Sequence, residues 1–426
     1  MNKISLILKM GIKFKIIVLI CSVFFAGALV AQKNISICFE VKKAHSKFPE
    51  SLISVKFDRE IFQSINDEMK LVKISKKMEV VMPFQLDSKE SKIWFKHEGK
   101  EKNITYCFKK SDNSPVGKPR FNFIKRNGTI NLNHGDQSLI GYRYKMKLPP
   151  IGVNKLYQKS GYIHPVLSPW GDTLTRIQPP DHFHHYGVWG PWTKTKINNT
   201  QVDFWNLKEG QGTVLFKEFK SIKSGKLFTG FTAIQEHFNL SNKINPEIAI
   251  SENLEVKVWK NDNPNQYFID YNSVFKTPLE NGILLEAYRY GGGLGFRFKE
   301  QWDKNNCDVL TSDGENRLTA DGTKAKWCII SGVSDDGKST NGVIFMSHPQ
   351  NRAHPEPMRV WPISANKNRG DMFFEFCPIR HKEWKIKKNI VYKLNYRMLV
   401  FEGSISPEQA EAHWRAFAYE PLINMK

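Results

Sequence analysis

The sequence predicts an all-β chain: a large antiparallel β-sandwich, a small β module N-terminal to it, and one short helix near the C-terminal end. Three observations carry this. Apolar and polar residues alternate over short runs, the period of a half-buried strand. Turn signals separate the runs, among them Asn127-Gly128, Asn133 to Gly135, Ser241 to Asn245, Asn281-Gly282 and Asp335 to Gly337. No long helical period occurs before Ser406-Pro407-Glu408-Gln409, a capping box with proline at the first helical position. After it, Ala410, Trp414 and Phe417 fall on one helical face.

Taken in order, residues 1–31 read as a signal peptide. Lys9, Lys13 and Lys15 precede the apolar run Ile16 to Val30, and Leu29-Val30-Ala31 before Gln32 suits cleavage. Cys21 follows the bulky Ile20, where a lipidation site wants a small residue. The expectation is export, to the periplasm or outside the cell. No later run has membrane-spanning length, so no stable membrane insertion is expected. Residues 32–115 form the small module, with runs at Ile35 to Val41, Leu52 to Phe57 and Ile104 to Phe108, and Ser111 to Lys118 reads as a linker. Residues 120–426 form the large sandwich, with runs at Tyr267 to Phe275, Ile283 to Tyr290, Trp327 to Val333, Gly342 to Met346 and Val391 to Phe401.

Five cysteines follow residue 31, at spacings that match no zinc or haem motif. An oxidising compartment permits a disulfide, and Cys38 with Cys107 is the pair that shares the small module. Residues 1–31 hold four lysines and no acid, so their removal takes the formal charge from +21 to +17. Such a field draws anionic partners. With no recognisable nucleic-acid module, a sulfated or uronic-acid oligosaccharide fits charge and export together.

The candidate site centres on residues 162–205. Four of the twelve histidines lie here, His164, His182, His184 and His185, beside Tyr162, Asp181, Tyr186 and Trp189. Imidazoles among aromatic rings and glycine turns suit a pocket with polar chemistry on an apolar floor. Two further segments contribute. Tyr288 and Tyr290 share a strand face with Glu286 and lead through Gly291 to Gly293 into Arg297; a proline-broken loop carries His348, Arg352, His354, Glu356 and Arg359. This inventory matches elimination next to a uronate carboxylate: a His or Tyr base takes the proton, cations hold the carboxylate, and an acid protonates the leaving oxygen. The catalytic candidates are His164, His182, His184, His185 and Tyr290. The substrate-binding candidates are Tyr162, Trp189, Arg297, His348, His354 and Arg359. The reaction needs no cofactor. As a rival, His182 and His184 on one strand face, with Asp181, offer a divalent metal site. A non-catalytic reading also stands, with Trp170, Trp189, Trp192 and Trp205 stacking on sugar rings, as does a mutarotase or glycoside hydrolase.

The block YIHPVLSPWGDTLTRIQPPDHFHHYGVWGPWTKT, the following VDFWN, and the later MSHPQN and FFEFCPIRHKEW together resemble the PmoA-like family of exported bacterial proteins. The resemblance runs from about residue 120 to 403. It departs where Thr175-Arg176-Ile177-Gln178 stands in place of threonine and two aspartates before the prolines. It implies carbohydrate utilisation, a sandwich of the mutarotase and polysaccharide-lyase superfold, and dehydration of ulvan-like oligosaccharides to an unsaturated non-reducing-end uronate.

Overall fold

The computed structural model describes residues 37–42, 49–66, 68–75, 78–99, 103–111 and 120–426. The expected signal peptide, residues 1–31, and nearly all of the expected linker fall outside them. The alternating runs become two large sheets. One has eight strands in the order Gly212–Lys223, Phe228–Asn239, Glu247–Trp259, Gln266–Lys276, Tyr392–Glu402, Thr340–Ser347, Trp327–Val333 and Cys307–Thr311. The other has nine, and its central members are Glu356–Val360, Phe373–Phe376, Leu294–Arg297, Val188–Trp189 and Tyr162–Val166. The strand pairings within both are antiparallel. The fold is therefore the large antiparallel sandwich the alternation predicts.

The two sheets face each other across the main core, where Ile163, Val188, Phe296, Phe374 and Phe376 meet Val256, Ile269, Phe345, Tyr396 and Val400. Phe345 and Phe374 stack across the interface with ring centroids 4.2 Å apart. A strand's side-chain period of two then decides what the outer face of the nine-stranded sheet carries. Val188, Phe296, Phe374 and Val360 point inward, so Trp189, Arg297, Phe373, Arg359 and Trp361 fall on the other side. These outward rings join Tyr162, Tyr186, Trp205 and Leu207 in a separate buried cluster. The candidate site is built on that cluster.

The helix Pro407–Ala418 starts at the expected capping box, with Ser406 Oγ accepting from Gln409 N and the Gln409 side chain accepting from Ser406 N. Its Ala410, Trp414 and Ala418 cover the outer face of the eight-stranded sheet, over Trp327, Ile344 and Leu399. Trp414 Nε1 is satisfied by Ser347 O at 2.9 Å.

The N-terminal strands form a five-stranded and a three-stranded sheet around their own core, which includes Phe39, Val55, Phe95, Tyr106 and Phe108. The chain's last strand, Leu422–Met425, pairs with Cys38–Lys42 and joins this module. Cys38 and Cys107 sit opposite each other on paired strands and are disulfide-bonded. Leu52 and Trp94 pack on Phe228 and Trp259 of the sandwich, and Lys257 Nζ lies 3.5 Å from the Trp94 ring centroid. Gln85 Oε1 accepts from Leu227 N and Phe228 N, closing the contact with backbone bonds. Among the described residues no helix is long and apolar enough to cross a membrane.

Candidate active site

Residues 179–185 are not a strand. The two prolines interrupt pairing, and two consecutive turns follow, with His182 N donating to Pro179 O and His185 N to His182 O. An isolated bridge between Ile177 and Tyr186 closes the base of this excursion. The turns fold the three imidazoles together: ring centroids are 4.8 Å apart for His182 and His185, 4.7 Å for His184 and His185, and 5.6 Å for His182 and His184. His182 and His184 are thus neighbours on a turn rather than on one strand face. Among the described residues no group of three or more His, Cys, Asp or Glu is arranged to hold a metal ion.

The other wall comes from the glycine-rich segment. The strand begun at Ile283 ends at Leu285, so Tyr288 and Tyr290 lie on irregular chain instead of sharing a strand face. The reversal into Leu294–Arg297 uses three consecutive positive-φ glycines. A Cβ at Gly292 would stand 1.8 Å from the Trp192 ring, so only glycine lets the chain pass there. The third wall is Trp205-Asn206, where Asp203 Oδ1 accepts from both backbone amides, at 2.7 and 2.8 Å.

Together these segments line a cleft of about 210 Å³ formed by His182, His184, His185, Thr193, Trp205, Asn206, Tyr288, Tyr290 and Trp361. Trp361 links Tyr290 to the histidine turn. Its Nε1 donates to the Tyr290 hydroxyl at 3.0 Å, and its ring lies 4.9 Å from that of His182. The Arg359 guanidinium lies 4.9 Å from the Tyr290 ring centroid and also donates to Asp321. Burial opposes the Arg359 charge, but Tyr290 and Asp321 outweigh it and hold its pKa above the usual value. The exposed Arg289 and Lys194 lie 5.4 Å and 4.7 Å from the ring centroids of Tyr290 and Tyr288.

Beneath the turn sits a charge cluster. The fully buried Arg297 and the half-exposed Arg369 both donate to Asp371, and Arg176 Nη2 is 3.7 Å from the same carboxylate. Arg369 also donates to Asp181, whose other oxygen is 3.3 Å from His182 Nδ1. Arg176 also faces Glu300 at 3.4 Å, so three guanidiniums meet three carboxylates, and among the cations the buried Arg297 acts most on the nearby imidazoles. Burial, then the neighbouring His182 and Arg297, pushes His184 down to about 4. Burial and the surrounding cations hold His185 far below its usual value. His182 is lowered too: burial leads, Asp181 opposes it, and Arg297 adds to it. At neutral pH all three rings are neutral, the state a general base requires. His182 is the one with a carboxylate beside it, Asp181 Oδ1 at 3.3 Å from Nδ1; the tautomer protonated on Nδ1 leaves Nε2 to accept.

The remaining sequence candidates fall elsewhere. His164 hydrogen-bonds Thr175 Oγ1 through Nδ1 at 2.9 Å and does not line the cleft. Tyr162 is buried against Tyr186, and Trp189 packs under His185 and Trp205, so both support the floor. Arg297 lies below Trp361, with its carbon centre 4.5 Å from that ring centroid, and is committed to Asp371. His348 packs on Phe417 and His354 stacks on Trp414, both against the C-terminal helix. Glu356, buried among Ser347, Asn351 and Tyr396, is pushed up by burial to about 7. Sequence reasoning missed Trp361, Asp371 and Arg369. The Pro362-flanked Trp361, two residues beyond Arg359 on an alternating strand, was the available signal.

Solved structures similar to this chain include heparan sulfate lyase HepC from Pedobacter heparinus, at 10% identity and a TM-score of 0.33, covering 70% of this chain and 38% of the lyase. The chain thus spans about two fifths of that lyase's length. A galactose mutarotase related enzyme from Lactobacillus acidophilus matches at 10% identity and a TM-score of 0.32, over 67% of this chain and 97% of that enzyme. The GH36 alpha-galactosidase AgaA from Geobacillus stearothermophilus matches at 8% identity and a TM-score of 0.29, over 67% and 40% of the two chains. No curated protein matches the chain in sequence. Residues 129–415 match the model of the Family of unknown function (DUF6807), and the chain belongs to that family.

Proposed function

We propose that this chain is an exported carbohydrate-active enzyme that performs β-elimination at a uronic acid of an anionic oligosaccharide. The observation that carries the reading is the juxtaposition, in one cleft, of neutral imidazoles with a tyrosine hydroxyl held by Trp361 and Arg359. His182 Nε2 takes the proton on the carbon next to the carboxylate. The electron pair spreads onto the carboxylate, which the exposed Arg289 and Lys194 beside Tyr290 and Tyr288 would hold. The pair then returns to form the ring double bond as the β carbon–oxygen bond breaks, and Tyr290 protonates the departing oxygen. The Trp361 donor and the Arg359 guanidinium over the ring hold Tyr290 in place for that transfer.

A hydroxyl as leaving group gives water and an unsaturated non-reducing-end uronate. A glycosidic oxygen as leaving group gives chain cleavage. The cleft's modest volume favours the terminal residue of an oligosaccharide, hence dehydration, in line with the resemblance to PmoA-like carbohydrate-utilisation proteins and to ulvan-oligosaccharide dehydration. Incubation with a uronate-terminated oligosaccharide tests this. The expected result is growth of the unsaturated-uronate ultraviolet band with loss of one water by mass and no chain shortening. Chain shortening would replace dehydration by a lyase, and saturable binding without absorbance would replace catalysis by sugar binding through Trp205, Tyr288 and Trp361.

A further inference from the structure

A second cleft, larger than the histidine cleft, lies elsewhere on the molecule. It encloses about 530 Å³ where the N-terminal module meets the edge of the sandwich, and it shares no lining residue with the first. Its walls come from four separate places: Lys96 on the module strand Lys92–His97, Arg120 and Phe121 at the entry to the sandwich, Lys226 before Phe228–Asn239, and Lys260 after Glu247–Trp259. His134 completes it, with its ring 4.7 Å from that of Phe121. Four cations therefore face one space that contains a single acid, Asp262.

Their availability differs. Lys96 is engaged by Glu50 and Asp262 at 2.8 and 2.7 Å. Among the described residues Arg120, Lys226 and Lys260 have no carboxylate partner, and Lys260 makes only a 3.4 Å contact to Pro264 O. Converging cations without counter-charges repel one another, and an anion in the space between them relieves that repulsion. The field is felt inside the cleft: burial first, then Lys260, Arg120 and Lys96, holds His134 below its usual pKa.

The volume lies in the range of a ligand of several rings or functional groups rather than an inorganic ion. The loop that supplies Lys260 continues to Asn265, whose Oδ1 accepts from Trp170 Nε1 at 3.3 Å. Trp170 is 63% exposed, an indole laid open beside a cationic cleft. Flat apolar surface next to converging cations suits a sugar ring bearing acidic groups.

We propose that this cleft is an accessory site for an acidic oligosaccharide, its carboxylates or sulfates held by Arg120, Lys226 and Lys260 and a neighbouring ring placed on Trp170. The anion preference stands on the cleft alone, whereas the choice of a glycan rests on the carbohydrate reading of the histidine cleft. A second site of this kind would keep a polyanionic chain on the enzyme between turnovers.

Calorimetric titration with a short galacturonate oligosaccharide separates the two readings by stoichiometry. The wild type is expected to bind two equivalents and Lys226→Ala/Lys260→Ala one, while turnover on a short substrate stays unchanged. Loss of these two partly buried cations is expected to weaken the accessory site about tenfold or more. Asp262→Asn, which removes the opposing charge and one of the two carboxylate partners of Lys96, is expected to tighten it, and rising salt to weaken it. If the histidine cleft does not take uronates, the wild type binds one equivalent and the double variant none. Unchanged stoichiometry and affinity in the double variant would overturn the accessory site. Equal binding of a single-stranded DNA of matched charge would overturn the glycan assignment, and binding of a neutral galactose oligosaccharide as tight as the galacturonate would overturn the role of the cations.

Discussion

Asp371→Asn is the most informative perturbation of the ground beneath the histidine turn. Asp371 is almost fully buried and accepts from Arg297 and Arg369, with Arg176 nearby. Burial alone would raise its pKa, but Arg369 and Arg297 outweigh burial and hold the carboxyl far below the usual range. Neutralising it leaves the fully buried Arg297 without its counter-charge, facing only neutral groups such as Met372 O and the Trp361 ring at close range. Breaking a buried ion pair from one side costs about 3–5 kcal/mol, because the surviving charge is stranded. At about 2 °C per kcal/mol for a chain of this size, the melting temperature should fall by roughly 6–10 °C. The control is Arg369→Ala, whose side chain is 43% exposed, so its loss should cost about 1 kcal/mol or less. Thermal melts followed by circular dichroism at neutral pH measure both. The depressed Asp371 pKa means its contribution is present above the unfolded value and is lost as pH falls through the folded one. The variant should accordingly lack that part of the acid destabilisation. A melt of Asp371→Asn indistinguishable from that of Arg369→Ala would refute the cluster's buried character.

Four further outcomes follow from the structure. Because burial, opposed by Asp181, lowers His182 below its usual value, the acid limb of kcat/KM should lie below pH 6.5; a limb at or above that value contradicts a His182 base. His184, pushed to about 4, stays neutral in the folded state, so its stability contribution is complete above 6.5 and is lost as pH falls toward 4, as acid titration of the melt can read. Trp361→Phe keeps a ring over Arg297 but deletes the donor to Tyr290, and kcat should fall about tenfold with little change in KM. The Cys38–Cys107 disulfide spans a sequence separation of 69, and its replacement by alanines should cost about 4 kcal/mol, seen as a lower melt that added reductant no longer shifts.

Much of the fold was written in local periodicity. Trp327 to Val333 forms a strand over those residues, and Ser406 caps its helix as the local pattern requires. The site was legible in its residue types more than in its geometry. His182 and His184 suggest one strand face, but Pro179-Pro180 withhold a backbone donor and an extended partner, and turn bonds then set the ring positions. Tyr290 follows an apolar strand run, yet the clash that any side chain at Gly292 would meet with Trp192 enforces a reversal that alternation cannot foresee. Trp361, Arg369 and Asp371 lie nearly two hundred residues from the histidine turn. Only the pairing of Leu294–Arg297 between Val188–Trp189 and Phe373–Phe376 brings them under it. His348 and His354 sit in a loop as rich in imidazole as the site itself. The helix that covers them could not be located against that loop from local pattern alone.

The most direct measurement is turnover of a uronate-terminated oligosaccharide by His182→Ala and Tyr290→Phe beside the wild type, with binding titrated separately and folding checked by melts. A general base and a general acid each predict a loss of about a hundredfold or more in kcat with affinity nearly intact. Wild-type turnover in both variants would contradict the assignment of proton transfer to this cleft.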